Sequence, residues 1–465
     1  MSVLLLSTYD LGRQPFGLAS PAAWLRRAGL EVRLVDLSRQ RVEESVLADA
    51  RFAGLYLPMH TATRLALPVI DRIKAANPGA TICAFGLYAA LNERLLRERG
   101  ADVVLGPEFE ADLVAAALGT LPAAARARPG FAAEPTGGDG GLDALMSPIS
   151  LPKLHFIAPD RSGLPGLDRY AALQMPDGSR RLAGATEATR GCKHRCRHCP
   201  IVPVYDGAFR VVPLEVVLAD VRAQVERGAE HITFGDPDFF NGPTHARRLV
   251  EALHAEWPGV TYDATIKVEH LLAHRGLLGT LVSTGCLFVT TAVESLDDAV
   301  LAKLEKGHSR ADVIDALRLS KEAGLALAPT FVAFTPWTSL ASYLDMLDTV
   351  EALDLVDHVA PVQWSIRLLI TEGSRLLELE DIRRRVSAFD PVTLAHSWTH
   401  LDPRIDALQQ RVMTTVGVHL GRPRRESFAA VRALASDAAG AVPRTEQRDR
   451  LARAAIPYLN EPWYC

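Results

Sequence analysis

Two stretches of this chain alternate short apolar runs of strand length with longer segments of helical pattern. The first covers residues 1–118, and the second begins near residue 185. Strands that alternate with helices form parallel sheets with helices packed on their faces. Residues 119–150, rich in Gly, Pro and Ala, indicate a flexible linker. We therefore expect an α/β chain with an N-terminal domain at 1–118, a second domain at 151–370 and a helical region at 371–465.

The first stretch predicts a doubly wound parallel sheet, whose ligands would bind beyond the C-terminal strand ends. A helix is predicted over Ser20–Ala28, with Pro21 in its first turn. The predicted strands are Val3–Thr8, Glu31–Val35, Phe52–Leu57, Thr81–Phe85 and Val103–Leu105.

The second stretch predicts six βα units, the size of a partial barrel. In parallel barrels the chemistry gathers at the C-terminal strand ends. Lys267, the segment Thr335-Pro-Trp337 and Arg367 all fall at such ends. The predicted strands are a short apolar segment near residue 185, His231–Phe234, Thr261–Ile266, Cys286–Val293, Ala326–Phe334 and Val356–Ile366.

The amino-acid composition and net charge limit the kind of protein that this chain can be. The chain has 465 residues, of which 48% are hydrophobic and 23% charged, which is typical of a soluble globular protein. Its net charge of −4 offers no case for nucleic acid or an anionic membrane as a main partner. No signal peptide or bilayer-length apolar run is visible, so we expect a cytoplasmic protein. Among the six cysteines, Cys83 and Cys286 lie in apolar runs and are expected in the core.

Cys192, Cys196 and Cys199 are spaced C-x3-C-x2-C, three thiols where a closed metal site needs four ligands. Zinc prefers four N or S ligands, and His194 or His198 could supply the fourth. An iron–sulfur cluster normally takes four protein sulfurs, so three would leave one iron open to a small molecule. The position of the triad before a long βα alternation favours the cluster over zinc.

This spacing and position resemble the motif of radical S-adenosylmethionine (SAM) enzymes. The resemblance implies a 4Fe–4S cluster held by the three cysteines, whose open iron chelates the amino and carboxylate groups of SAM. One electron then cleaves SAM and generates a carbon radical. The family usually has an aromatic residue before the third cysteine, where this chain has His198.

Two further motifs carry the resemblance. Gly235, Asp236, Pro237 and Asp238 stand where the family has Gly-Gly-Glu-Pro, a segment that holds the SAM amino group. The run that contains Glu294 and Ser295, followed by Lys-Gly-His at 306–308, resembles a subgroup with cobalamin-dependent and methylthiolating members. In that subgroup the glutamate contacts SAM, which implies this role for Glu294. The alternative is a carboxylate salt-bridged inside the barrel.

The N-terminal domain resembles the cobalamin-binding domain of cobalamin-dependent radical SAM enzymes. The Asp-x-His-x-x-Gly motif, which supplies a histidine to cobalt in some cobalamin proteins, is absent. Two hypotheses stay open: the domain binds cobalamin, or it is a Rossmann-like domain that has lost its cofactor. His60, near a strand end, could touch a ligand, although a lone histidine there is more often structural.

The cysteine motif, the segments 231–241 and 329–338 and the ending Asn460–Cys465 together resemble radical SAM proteins with a Cys-Sec-Ala-Glu-Pro or Cys-Cys-Ala-Glu-Pro tail. In that family a selenocysteine or a second cysteine follows the residue that corresponds to Cys465. We therefore expect Cys465 to be catalytic and the natural chain to be a selenoprotein that continues beyond it. The alternative is a shortened tail with one thiol.

The predicted function is reductive cleavage of SAM to start radical chemistry on a small molecule, with methyl transfer if cobalamin is bound. An electron donor such as flavodoxin or ferredoxin is implied. Without cobalamin, the alternative is carbon–sulfur or carbon–selenium bond formation, or another radical rearrangement, that uses the C-terminal thiol or selenol. A hypothesis of another class is a non-catalytic iron–sulfur or zinc protein that senses redox state.

Overall fold

The structure is a computed structural model that describes residues 2–122, 154–441 and 454–460. The greater part of the predicted linker and Cys465 lie outside the described residues. Within those residues, no helix has both the length and the apolar character required to cross a membrane.

The N-terminal domain contains a five-stranded parallel sheet in the order β2-β1-β3-β4-β5. Apolar side chains on both faces of these strands pack against helices, which is why the strands read as continuous apolar runs. The strand order reverses between β1 and β3, and crevices at such reversals bind ligands. The strands are β1 Ser2–Ser7, β2 Glu31–Asp36, β3 Phe52–Tyr56, β4 Thr81–Phe85 and β5 Val103–Leu105.

Helices cover both faces of this sheet. The first helix begins at Phe16, one turn before the predicted start, so the placement of Pro21 in the first turn is wrong. The first turn of the helix packs directly on the Tyr56 ring, and only glycine fits at position 17, because a methyl group there would come within 2.2 Å of that ring. The helices are Phe16–Arg27, Glu44–Asp49, His60–Ala76, Leu87–Leu91, Glu93–Glu98 and Glu110–Ala117.

The second sheet has five parallel strands in the order β14-β13-β12-β11-β8. A short antiparallel pair, β9 and β10, follows β8 and frames the cysteine motif. The strands are β6 Leu173–Gln174, β7 Arg180–Arg181, β8 Ala183–Thr186, β9 Thr189–Gly191, β10 Phe209–Val211, β11 His231–Phe234, β12 Thr261–Thr265, β13 Cys286–Glu294 and β14 Ala326–Phe331. The helices are Val202–Tyr205, Leu214–Val225, Pro243–Glu256, Val268–Ala273, Leu278–Ser283, Asp298–Leu304, Arg310–Glu322 and Leu340–Ala352.

The sixth barrel strand, predicted over Val356–Ile366, does not form. A 3-10 helix at Pro361–Trp364 takes its place, followed by a single parallel bridge between Phe334 and Arg367. The side-chain oxygen of Gln363 accepts a hydrogen bond from the N–H of Phe331 at 2.9 Å. A side chain therefore satisfies the edge of β14 where a sixth strand would have supplied backbone carbonyls.

The region after residue 371 packs against the barrel through its helices. Trp364 of the barrel lies edge-on to Phe428, with ring centroids 5.5 Å apart. The region also contains an antiparallel hairpin that the sequence did not predict. The hairpin consists of β15 Val386–Asp390 and β16 Ala395–Trp398. The other elements of the C-terminal region are the helices Glu380–Arg383, Pro403–Val418 and Arg424–Ala439 and the strand β17 Tyr458–Leu459.

A fully buried arginine joins the N-terminal domain to the barrel. The Arg161 guanidinium forms a two-pronged ion pair with Asp220, at 2.7 and 2.9 Å, and both side chains are 1% exposed. The same group donates to Gln14 of the N-terminal domain at 3.0 Å and to the carbonyl of Ala185 in β8. A buried charge is tolerated because it is fully paired in this way.

This pairing predicts that Arg161→Met will destabilise the protein strongly, since Asp220 would keep an uncompensated buried charge. Breaking a buried pair costs about 3–5 kcal/mol. Arg26→Met removes a partly exposed pair with Asp160 and should cost about 1 kcal/mol or less. Urea unfolding followed by circular dichroism measures both. Equal losses in the two variants would contradict this account of the domain interface.

Candidate active site at the cysteine loop

The cysteine loop, residues 192–199, is held by backbone contacts at both ends. It leaves β9 at Gly191, whose φ of +75° and crowded surroundings require glycine. A methyl group at this position would come within 2.4 Å of the Tyr205 ring. Asn241 donates to the carbonyl of Gly191 at 3.1 Å and accepts from the N–H of Lys193 at 3.2 Å. The N–H of Arg197 reaches the helix Asp298–Leu304 at the far end.

The three thiols share one location. The pKa of Cys199 is raised to about 12, chiefly by burial and also by the neighbouring Cys196 and Cys192. Burial likewise raises the pKa of Cys192 to about 11, with the Asp238 carboxylate and Cys196 adding to the rise. Thiols that resist losing their protons in the free protein need a bound cation to become thiolate ligands.

This donor set fits a cluster with one open iron. Among the described residues the remaining cysteines lie elsewhere: Cys83 is buried in the N-terminal domain and Cys286 is buried at the start of β13. Three sulfurs without a fourth thiol from the described residues match a cluster that keeps one coordination position open.

Glu294 and the buried Lys306 form an ion pair beside the loop. Glu294 Oε1 lies 3.4 Å from Lys306 Nζ and 3.3 Å from His198 Nε2. Burial alone would raise the pKa of Glu294, but Lys306 and His198 outweigh it and lower the pKa to about 2. Burial opposes the charge of Lys306, whereas Glu294 and the thiols of Cys196 and Cys199 raise its pKa. The site therefore contains an ionised carboxylate and a cation that faces the thiols.

The backbone conformation at Glu294 breaks the regular strand pattern and changes the direction of its side chain. Its φ is +66°, and the register between β13 and β14 shifts between Ala292 and Glu294. Bulges and left-handed residues of this kind re-aim side chains and recur at functional sites. The neighbouring Ser295 hydroxyl accepts a hydrogen bond from the N–H of Asp297, so its oxygen serves the following turn. Lys306 was not predicted as a site residue, although its position in the Lys-Gly-His run was the available signal.

The segment Gly235–Asp238 follows β11 and lies against the cysteine loop. Asp236 accepts from the N–H of Ala188 at 3.0 Å and from the Thr189 hydroxyl at 2.6 Å. Burial raises the pKa of Asp236 to about 7. Its side chain thus ties β11 to the strand that enters the loop. The side chain of Asp238 caps the next turn by accepting from the N–H of Phe240 at 3.0 Å.

Some residues at predicted strand ends serve other purposes. Arg367 pairs with Asp406 at 2.7 Å, and its guanidinium stacks 3.5 Å from the centre of the Trp398 ring. Trp337 donates its indole N–H to Asp381 at 2.7 Å. Both therefore attach the C-terminal region to the barrel. Lys267 stays at the site, 3.2 Å from Glu269.

A cavity of about 410 Å³ occupies the interior of the barrel. Arg13 of the N-terminal domain lines it and also lies close to Gly235, where a methyl group would come within 3.6 Å of its Nη1. His358, Gln363 and Tyr458 add polar groups on the side of the missing sixth strand. Alternate residues of three strands form the inner wall: Asp263, Thr265, Phe288, Thr290, Ala328 and Thr330.

Comparison with known proteins agrees with this geometry. Residues 186–336 match the model of the radical SAM superfamily. Hopanoid C-3 methylase of Methylococcus capsulatus is 26% identical over 353 residues, covering 72% of this chain and 64% of that protein. The tRNA-2-methylthio-N(6)-dimethylallyladenosine synthase of Fusobacterium nucleatum is 27% identical over 197 residues, covering 38% of this chain and 43% of that protein. The chain thus spans less than two thirds of either relative.

Two solved structures share the architecture of both domains. The cobalamin-dependent SAM radical enzyme OxsB, with aqua-cobalamin and SAM bound, superposes with a TM-score of 0.65 at 15% identity, covering 92% of this chain and 70% of that chain. The radical SAM methyltransferase TsrM from Kitasatospora setae gives 0.56 at 18% identity, covering 76% and 71%. Residues 186–336 are therefore similar to radical SAM domains, within a chain whose fold is similar to those of OxsB and TsrM.

Proposed function

We propose that this protein reductively cleaves SAM at a 4Fe–4S cluster and directs the resulting radical to a small molecule in the barrel cavity. The observation that carries the proposal is the group of three thiols at the C-terminal edge of a parallel barrel, beside the ionised Glu294. When bound, the cluster and SAM supply an adenosyl radical able to abstract hydrogen from an unactivated carbon. The protein's own task is to bind, orient and exclude water.

Each flank of the loop has a proposed task. The carboxylate of Glu294 accepts hydrogen bonds from SAM, and Lys306 keeps it ionised. The backbone carbonyls of Gly235, Asp236, Pro237 and Asp238 bind the SAM amino group, because the protein already occupies the carboxylate of Asp236 and one oxygen of Asp238. Ser295 shapes the turn after Glu294. An external donor of the flavodoxin or ferredoxin type supplies the electron.

We also propose that the N-terminal domain binds cobalamin for methyl transfer. The hydroxyl of the fully buried Ser7, at the end of β1 where the strand order reverses, has no hydrogen-bond partner. Burial raises the pKa of Asp10, beyond the same strand, to about 7, and the barrel residue Glu187 adds to the rise. Polar groups between the sheet edge and the barrel fit a ligand held there. Similarity to hopanoid C-3 methylase and the fold of OxsB support the same proposal.

His60 does not fit the role of a cobalt ligand. Its Nε2 lies 2.6 Å from the carbonyl of Thr393, in the hairpin of the C-terminal region. Burial lowers its pKa. It is the only histidine among residues 2–118, so cobalamin would bind there without a cobalt–histidine bond from that domain.

Carbon–sulfur or carbon–selenium bond formation is the second candidate function. The similarity to a methylthiolating enzyme of Fusobacterium nucleatum favours it. In this second candidate function, Cys465, alone or followed by selenocysteine, accepts the transferred group. Cys465 lies outside the described residues, and its role stays a prediction.

The cluster assignment predicts that replacing Cys192, Cys196 and Cys199 together by alanine abolishes iron binding and SAM cleavage. Cys83→Ala, in the core of the other domain, should keep both, and serves as the control. Iron analysis, electron paramagnetic resonance and detection of 5′-deoxyadenosine measure the outcome. A wild-type protein that holds one tight zinc and no iron, or a triple variant that keeps its iron, would instead support the redox-sensing or zinc hypothesis.

Glu294→Gln keeps the shape of the side chain and removes its charge. Loss of a charge-assisted hydrogen bond costs about 1.5–3 kcal/mol, so SAM affinity should fall about tenfold or more. Glu305→Gln is the matched control, since Glu305 pairs with Arg197 and Arg375 on the outer side of the loop. Equilibrium binding of SAM to the reconstituted protein measures the effect. Equal affinity in wild type and Glu294→Gln would assign Glu294 a structural role.

For cobalamin, we expect the anaerobic protein to retain one corrinoid per chain after incubation with hydroxocobalamin and desalting. His60→Ala should retain as much, with an unchanged absorbance spectrum, because its imidazole is bound to Thr393. Absence of corrinoid from the wild-type protein would leave the N-terminal domain as a scaffold. A changed spectrum in His60→Ala would restore the histidine as a cobalt ligand.

A further inference from the structure

Three metal-binding side chains from three separate segments converge beside the cysteine loop. His194 belongs to the loop itself, Asp238 follows β11, and His270 lies on the helix Val268–Ala273. Asp238 is 1% exposed and His270 is 3% exposed. Ligand atoms of the three residues lie within 4.8 Å of one another.

The spacing of these atoms suits a small cation. His194 Nε2 lies 3.1 Å from His270 Nε2 and 3.6 Å from Asp238 Oδ2. Ligands held at ~2.1 Å around a tetrahedral zinc ion are separated by roughly 3.4 Å. An imidazole gives one nitrogen to an ion, and with Nε2 as the ligand atom of His270 the two observed distances lie on either side of this value.

Two buried polar atoms in the group lack hydrogen-bond partners. Asp238 Oδ2 and His270 Nδ1 approach to 2.8 Å, yet neither makes a hydrogen bond. Buried polar atoms are rarely left without a hydrogen-bond partner, and an ion bound to Asp238 Oδ2 would supply one for that oxygen. The other oxygen of Asp238 is held by the N–H of Phe240, which fixes the orientation of the carboxylate.

The charges around the group permit a cation. Lys267 is a nearby positive side chain, and it pairs with Glu269 at 3.2 Å. The same carboxylate lies 3.6 Å from His194 Nδ1, on the opposite side of that imidazole from Asp238. Glu269 thus offsets Lys267 and can orient the ring of His194, as carboxylates commonly do for metal-bound histidines.

We propose that His194, Asp238 and His270 bind a divalent transition-metal ion, for which two imidazoles and one carboxylate are suitable ligands, and that this ion is Zn²⁺. A water molecule completes the tetrahedron. The ion ties the cysteine loop to the segment after β11 and to the helix Val268–Ala273. The site goes beyond the proposed SAM chemistry, which needs no second metal, and it leaves the cluster thiols and the backbone of Gly235–Asp238 free.

The test uses the full chain, reconstituted anaerobically with iron and sulfide, then given one equivalent of Zn²⁺ and desalted. Iron and zinc are counted in wild type, His270→Ala and His274→Ala. The last variant is the matched control, because His274 lies one turn along from His270, with ring centroids 5.6 Å apart, and is outside the proposed ligand set. Zinc K-edge X-ray absorption identifies the ligand atoms without interference from the cluster iron.

We expect about one zinc per chain, with nitrogen and oxygen neighbours, in wild type and His274→Ala. His270→Ala should retain ~10-fold less zinc or even less, with its cluster iron unchanged. His194→Ala provides the same comparison should His270→Ala fail to fold. Absence of zinc from the wild type, or equal retention by His270→Ala, would overturn the proposal. Sulfur neighbours with loss of iron would place zinc on the cysteines and overturn the cluster as well. Zinc absent while iron and SAM cleavage persist would overturn the zinc site alone.

Discussion

The buried guanidinium of Arg190 connects the domain interface to the cysteine loop. It donates to Glu110 of the N-terminal domain at 2.6 and 3.1 Å and to Glu187 of the barrel at 2.9 Å. Burial opposes its charge, but the surrounding carboxylates outweigh this and hold its pKa well above the usual value. Its backbone belongs to β9, two residues before the first motif cysteine. The position of the loop therefore depends on a charge that is stable only while both domains supply carboxylates.

Two charged pairs act on the cysteine loop, and each pair contains one carboxylate and one lysine. On one side Glu294 pairs with Lys306, which faces Cys196 and Cys199. On the other side Asp238 and Lys267 act on Cys192. Preorganised charges in a water-poor site hold a ligand without the cost of reorganising solvent. SAM carries a carboxylate, an amine and a sulfonium, so preorganised charges of both signs beside the three thiols suit it.

Local patterns predicted much of the fold. The strands at Thr81–Phe85, Val103–Leu105 and His231–Phe234 have the predicted bounds, because continuous apolar runs of strand length are typical of doubly covered parallel sheets. The errors lie where distant contacts override local preference. Gln363 satisfies the edge of β14 in place of a sixth strand. Packing of Gly17 against the Tyr56 ring lets the first helix begin at Phe16.

The sequence by itself determined the parallel α/β architecture and the spacing of three thiols on one loop, because both arise from residues close together in the chain. Only the tertiary structure decided which charged groups meet. Arg190 and Glu110 are 80 residues apart, and His194 and His270 are 76 apart. The ionised state of Glu294 likewise depends on Lys306, which follows the helix Asp298–Leu304 and folds back against the end of β13. Coulomb and hydrogen-bond energies depend on distance in space, which sequence separation does not reveal.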